Sequence, residues 1–205
     1  MTAMNSQLMR KAIRHLRSSD KKMTDLIDKH GMCNIKPPID NPFHSLTSSI
    51  ISQQLSSHAA RAIKGRLLGM LNTKYFTPDA ILVLSSDAYK KAGLSTAKSK
   101  YLRGAALAVK SGELNFNSII KYEDEDVINV LTMLSGVGRW TAEMFLIFGL
   151  GRLDVLSVND AGLKRGLKLT YGLQQNPSAD EMMQLSNPWR PYRSIACWYI
   201  WRELD

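Results

Sequence analysis

Leu134-Ser135-Gly136-Val137-Gly138-Arg139-Trp140-Thr141-Ala142 decides how this 205-residue chain is read. Before it, Ile128, Leu131 and Leu134 recur at helical spacing, and after it Ala142, Leu146 and Leu150 do the same. The stretch reads as a hairpin turn between two helices. Gly136 and Gly138 permit a turn too tight for side chains, so backbone N–H groups opening the second helix can meet a phosphate. Val137 is the apolar pin between the helices. Glycine also joins helices in ordinary αα-turns, so the wider chain must separate the two readings.

The composition points toward a polyanion. Lys and Arg number 27 against 18 Asp and Glu, a formal charge of +9, and such a surplus attracts nucleic acid and speeds encounter with it. Membrane surfaces also attract cations, but no apolar run is long enough to span a bilayer. Met1-Thr-Ala-Met-Asn-Ser-Gln7 lacks the apolar core of a secretion signal. Cys33 and Cys197 are too few for a disulfide framework or a four-thiolate cluster. The expected setting is a reducing one: cytoplasm and nucleoid, or a nucleus. A chain of this length can fold as one domain or as two lobes around a cleft.

Helix follows helix along the sequence. Ser18-Ser19-Asp20 separates two amphipathic segments, and Pro37, Pro38 and Pro42 predict an extended connector around residues 32–42. Helices are predicted over 43–52 and 57–71, flanking the Gln53-Gln54-Leu55-Ser56 corner. Thr77-Pro78-Asp79 is a helix start, Ser95 caps a basic helix, and further helices cover 125–134, the hairpin's second arm to about 150, 160–170, a segment from Ser178, and 192–203. No stretch alternates with period two for long enough to form a sheet. The fold class is all-α.

These residues resemble a known family. The hairpin, followed by Asp154-Val-Leu-Ser-Val-Asn-Asp160-Ala-Gly-Leu-Lys-Arg-Gly166, is similar to the helix-hairpin-helix DNA glycosylases, and within them to the DNA-3-methyladenine glycosylase II branch. Ile51-Ser-Gln-Gln-Leu-Ser56, Gly93-Leu-Ser-Thr-Ala-Lys-Ser-Lys-Tyr-Leu102 and Trp189-Arg-Pro-Tyr-Arg-Ser-Ile-Ala196, ending in Trp201, extend the match over roughly residues 43–203. One departure is Ser157, where relatives often carry proline.

The resemblance implies two helical lobes around a DNA-binding cleft, 43–150 with the hairpin and 1–42 plus 151–205, with Trp140 and Asp160 facing one another across it. It implies a monomeric base-excision repair enzyme that removes alkylated purines from double-stranded DNA and requires no cofactor. Asp160 is the catalytic acid, stabilising a cation-like sugar and orienting water; its plainer role is to cap the helix from Ala161. The two roles are compatible, because a helix N-terminus favours negative charge. Asp154 is the rival acid, six residues upstream. Trp140 stands where strand-nicking relatives place a Schiff-base lysine, so the enzyme is monofunctional, without lyase activity. Trp140 and Trp201 line the base pocket, Trp140 by stacking on a cationic base, although a large aromatic there also suits core packing. Trp198 reads as core.

Extruding a nucleotide leaves a gap in the stack, and the family's plug candidates are Gln54 or Leu55. The DNA-binding set is Gln53, Gln54, Leu55, Ser56, Gly136, Val137, Gly138, Arg139 and Thr141. Lys98, Lys100 and Arg103 read either as phosphate contacts or as a solvated face. No cluster has transition-metal spacing, but backbone oxygens of Thr132, Leu134 and Val137 are expected to hold Na+ or K+, as similar hairpins do. The alternative is a non-catalytic helix-hairpin-helix DNA-binding or lesion-recognition protein, which would need neither Asp160 nor the paired tryptophans.

Overall fold

A computed structural model describes residues 3–33, 35 and 41–204. Residues 34 and 36–40 of the expected connector lie outside the described residues. Among those described, every regular element is helical. In chain order they are α1 (Ala3–Ser19), α2 (Lys21–His30), α3 (Pro42–Ser52), α4 (Ser57–Leu71), α5 (Pro78–Val83), α6 (Ser86–Ala92) and α7 (Thr96–Ser111). There follow α8 (Phe116–Ile119), α9 (Asp124–Thr132), α10 (Arg139–Phe148), α11 (Ala161–Tyr171), α12 (Ala179–Ser186), a 3-10 turn (Asn187–Trp189) and α13 (Arg193–Arg202). They group into two compact units, Met1–Pro37 with Gly151–Asp205, and Pro38–Leu150.

The helices are short, and side chains at their N-termini set the boundaries. Asp20, Asn41, Ser56, Thr77, Ser85, Ser95, Asn115, Asp160 and Ser178 each accept a backbone N–H of the helix they open, satisfying a donor that has no partner inside the helix. The predicted helices are present with ends shifted by one or two residues. Two were missed, α6 and α8, of seven and four residues, because so few residues carry too little periodicity.

In the 38–150 unit, α3 is buried along its length through Phe43, Leu46, Ile50 and Ile51, and it packs on α10 and α7. α10 buries Thr141 through Ile147 without a break. A helix buried on most of its circumference belongs at the centre of its unit. In the other unit, Asp20 joins three elements: one carboxylate oxygen caps α2 through the Lys22 N–H at 2.8 Å, and the other accepts the Trp189 indole N–H at 2.9 Å and the Tyr171 hydroxyl. Burial, reinforced by Asp20, pushes the Tyr171 phenol above its ordinary value. Glu203 accepts from Lys29 and His30 of α2, and its carboxyl is held below the ordinary range, chiefly by Lys29.

α11 approaches α13 closely at Gly166, where an added Cβ would meet Ile200 Cγ2 at 2.5 Å and the Ile200 carbonyl oxygen at 2.7 Å. Gly65 in α4 faces open space instead. Gly166→Ala is therefore expected to cost about 1–3 kcal/mol by overpacking. Gly65→Ala should add roughly 0.5–1 kcal/mol by removing a helix-interior glycine. Urea denaturation midpoints measure both, and equal effects of the two substitutions would contradict the packing.

Candidate active site and nucleic-acid interface

The hairpin begins earlier than its apolar spacing suggests. α9 ends at Thr132, and the chain turns through Met133 with Leu134 N–H donating to Leu131 O and Val137 N–H donating to Leu134 O at 3.0 Å. Val137 is buried, as an apolar pin would be. The two glycines differ. Gly136 has φ +78°, and a Cβ there would lie 2.2 Å from the Tyr101 ring, so the turn does require glycine. Gly138 has φ −93° and ψ 174°, a conformation any residue adopts, and nothing lies within 4 Å of its missing Cβ. The expectation that both glycines serve turn tightness is thus corrected for Gly138. Its bareness instead leaves the N-terminus of α10 clear, with no side-chain cap on it, the arrangement that receives an anion.

Arg139 and Thr141 have partners within the unit. The Arg139 guanidinium bonds Glu125 at 3.0 and 2.5 Å and Glu143 at 3.0 Å, tying the first turn of α9 to α10. Glu143 is buried, and this i,i+4 pairing gives its charge a partner. The hydrogen bond from Arg139 holds the Glu125 carboxyl below its ordinary range. Thr141 is buried, and its hydroxyl accepts the Gln53 side-chain N–H at 2.8 Å. Trp140, between them, is half-exposed.

Gln53 also donates to Gly136 O at 2.8 Å, which makes it a link between α3 and the hairpin. Its neighbours are disposed differently. Gln54 is exposed with φ +55°, Leu55 is exposed, and Ser56 caps α4 through the Ala59 N–H at 3.2 Å. In the basic stripe on α7, two of the three cations have a task its sequence did not suggest. Lys98 Nζ donates to Ile51 O at 2.8 Å and Gln53 O at 2.5 Å, and Arg103 donates to Leu82 O at 2.9 Å and Leu84 O at 3.3 Å. Each cation closes the C-terminal end of a neighbouring helix, where carbonyl groups lack partners and the dipole favours positive charge. Burial lowers the Lys98 pKa from its ordinary value. Lys100 alone of the three is a plain surface residue.

In the other unit, Asp160 is 8% exposed. Its Oδ1 accepts the Leu163 N–H, as the N-cap of α11, and the Trp201 indole N–H at 2.9 Å. Trp201 is half-exposed, and the polar edge of its ring is committed to this carboxylate, a contact the sequence did not suggest. Gly162 leaves room for the pair: its Cβ would lie 3.1 Å from Asp160 Oδ1 and 3.5 Å from Trp201 Cδ1. Asp154 has a different task. Arg193 Nε and Arg190 Nη1 each bond it at 2.8 Å, and the Arg193 backbone N–H bonds it at 3.3 Å. Ser194 N–H donates to Leu153 O at 2.9 Å, and Val155 N–H donates to Ser194 Oγ at 3.0 Å. These bonds pin the 153–155 segment although proline is missing at buried Ser157. Trp198 corrects another expectation, since it is half-exposed, with the Arg202 guanidinium 5.8 Å from its ring, and not in the core.

A glycine-bearing hairpin with an uncapped helix behind it suits a nucleic-acid backbone, and a carboxylate fixed at another helix start suits stabilising positive charge. Residues 47–191 match the HhH-GPD superfamily of base excision DNA repair proteins, and the chain belongs to this superfamily. It is 34% identical to the alkylbase DNA glycosidase-like protein mag2 of Schizosaccharomyces pombe, over 94% of this chain and 92% of the relative. To DNA-3-methyladenine glycosylase 1 of the same yeast it is 32% identical, over 94% and 86%. The solved structure of the S. pombe 3-methyladenine DNA glycosylase Mag1 in complex with abasic DNA superposes with a TM-score of 0.85 at 31% identity, covering 94% of this chain and 95% of that one.

The unequal glycines give a direct test. Gly136→Ala should destabilise by more than about 2 kcal/mol, combining left-handed backbone with a clash against Tyr101. Gly138→Ala should stay within about 1 kcal/mol of wild type, the scale of an N-cap change. Thermal melts of both variants suffice, and comparable losses would show that Gly138 also holds the turn.

Proposed function

We propose that this chain is a monofunctional DNA glycosylase that hydrolyses the N-glycosidic bond of alkylated purines, of the 3-methyladenine and 7-methylguanine type, in double-stranded DNA and leaves an abasic site. The observation that carries the reading is Asp160, a nearly buried carboxylate held by a backbone N–H and an indole N–H on one oxygen. Asp154, bonded to two guanidinium groups, is part of the scaffold. The similarity to the 3-methyladenine DNA glycosylases of S. pombe supports the substrate class.

The chemistry follows from the leaving group. A purine alkylated at N3 or N7 is cationic and departs with the glycosidic electron pair as a neutral base, so the sugar needs assistance more than the base does. As that bond stretches, C1′ becomes cation-like, and a preorganised carboxylate stabilises it without having to reorganise. Water then adds at C1′ and gives up a proton to Asp160 or to solvent. Trp140 offers an electron-rich face to the cationic base, worth about 0.5–2 kcal/mol, and an indole forms no Schiff base. Gly138 and the N-terminus of α10 take the strand's phosphate, and Gln54 or Leu55 fills the place of the extruded nucleotide. The protein acts as a monomer, in the compartment that holds the genome.

The carbonyl oxygens of Thr132, Leu134 and Val137 would hold Na+ or K+ at the hairpin. Leu134 O accepts one hydrogen bond, from Val137 N–H, and a carbonyl has a second lone pair to offer. Melting in potassium chloride is expected to exceed melting in tetramethylammonium chloride at equal ionic strength. Identical melts would remove the cation.

Asp160→Asn tests the mechanism. Asparagine keeps an oxygen to accept from Leu163 and Trp201, so folding and DNA affinity should survive. The charge facing the sugar is gone, and base release should fall by about 10²–10³. Wild type should release free alkylpurine from methylated duplex and leave a strand that breaks only on later alkali treatment, with nothing trapped by borohydride. A trapped adduct would overturn the hydrolytic assignment. Tight duplex binding by wild type with no base released would favour the non-catalytic DNA-binding protein.

A further inference from the structure

We propose that Lys98 and Gln53 form a strut between the exposed 53–56 corner and the hairpin, coupling entry of the corner into the DNA stack to the hairpin's grip on the strand. The inference rests on the glycosylase reading above. The strut is continuous through four hydrogen bonds within the 38–150 unit. From the first turn of α7, Lys98 Nζ holds the carbonyl oxygens of Ile51 and Gln53 at 2.8 and 2.5 Å. From there the Gln53 side-chain amide holds Gly136 O and Thr141 Oγ1, both at 2.8 Å. These two acceptors lie on either side of Gly138, one in the turn and one in the first turn of α10. A lysine closing a helix C-terminus is ordinary by itself. Here one of the residues whose carbonyl it closes is also the residue whose side chain reaches the hairpin.

The strut fixes a turn under strain. Gln53 has φ −51° and ψ 131°, Gln54 has φ +55°, and Leu55 N–H donates to Ser52 O at 3.2 Å. This is the pattern of a type II turn, whose third position favours glycine or asparagine. A glutamine held left-handed there costs about 1–2 kcal/mol, and such strain concentrates where a side chain is presented for use. Opening a duplex costs a few kcal/mol per extruded nucleotide, so a side chain that takes the vacant place has to be backed by a stiff element. Lys98 backs the turn from α7, and Gln53 sets its distance from the hairpin. Both are positioning residues: neither touches the reacting atoms. Burial depresses the Lys98 pKa, a cost consistent with an ammonium held inward for its hydrogen bonds.

The test separates entry into the stack from binding. A duplex carrying a tetrahydrofuran site beside 2-aminopurine reports unstacking by fluorescence, a lesion-free duplex reports grip, and a 7-methylguanine duplex reports excision in single turnover. Lys98→Met should keep lesion-free affinity within about threefold, because the phosphate contacts remain; Gln53→Met is read by excision and unstacking. Each should slow excision on the order of 10²-fold and suppress the 2-aminopurine signal. The double variant should lose little beyond either single one, because the two act through one path. Lys98→Arg, which retains the donors, should restore the signal. If Lys98→Met does not fold, Gln53→Met carries the same expectations for excision and for the 2-aminopurine signal. Gln54→Gly should raise the melting temperature and yet lose the signal. Additive losses, an unchanged signal in a folded Lys98→Met or Gln53→Met, or lesion-free affinity of Lys98→Met falling in step with excision would overturn the strut. Because unstacking is read without base release, a wild type that unstacks the duplex but releases no base would overturn the glycosylase reading and leave the strut standing.

Discussion

Unpaired peptide groups at helix ends constrain this chain more than any other physical term. A helix leaves four N–H groups and four C=O groups without internal partners, and a fold of many short helices multiplies that demand. The chain meets it at N-termini with Ser, Thr, Asn and Asp caps, and at two C-termini with Lys98 and Arg103 reaching from α7. The proposed working parts sit at the same kind of place. Asp160 is an N-cap, Gln53 and Gln54 follow the end of α3, and Gly138 precedes α10.

That coincidence explains why the sequence was informative and where it stopped. N-caps act over three residues, so Thr77-Pro78-Asp79 and Ser95 could be read directly, and the helices they open are present. The all-α class needed only helical spacing and the lack of alternation. Partners distant in sequence were a different matter. Lys98 meets carbonyl oxygens 45 and 47 residues away, and Trp201 meets Asp160 across 41. The stripe Lys98, Lys100 and Arg103 looks uniform in sequence, yet two of its members turn to neighbouring helix ends and one does not, because only packing decides which carbonyl groups lie within reach. Arg139 had one local signal, Glu143 at i+4, that marked it as an internal ion pair as much as a DNA contact.

The two acids of the 154–160 segment show how environment divides labour between like residues. Asp154 gathers Arg190, Arg193 and a backbone N–H, and through them the loop is tied to the N-terminal end of α13. Asp160 receives two N–H groups on Oδ1, from its own helix and from Trp201. Neutral donors orient a carboxylate while leaving it the net charge that two guanidinium groups would cancel. This difference supports the structural role proposed for Asp154 and the electrostatic one proposed for Asp160. Under the proposed function capping and catalysis become a single requirement: the hydrogen bond that satisfies Leu163 N–H would fix the direction in which the charge acts.

The hairpin and the corner divide stability from use in a similar way. Gly136 is demanded by the fold, since left-handed backbone and the Tyr101 ring both exclude a side chain. Gly138 is demanded by neither, and a serine or aspartate there would supply the N-cap that α10 lacks. Gln54 is the converse, a residue with a side chain at a position where glycine would relieve strain. Folding alone would reverse both choices. Under the proposed function a clear helix N-terminus receives a phosphate and a projecting side chain replaces a nucleotide, and duplex binding would make the two choices mutually consistent.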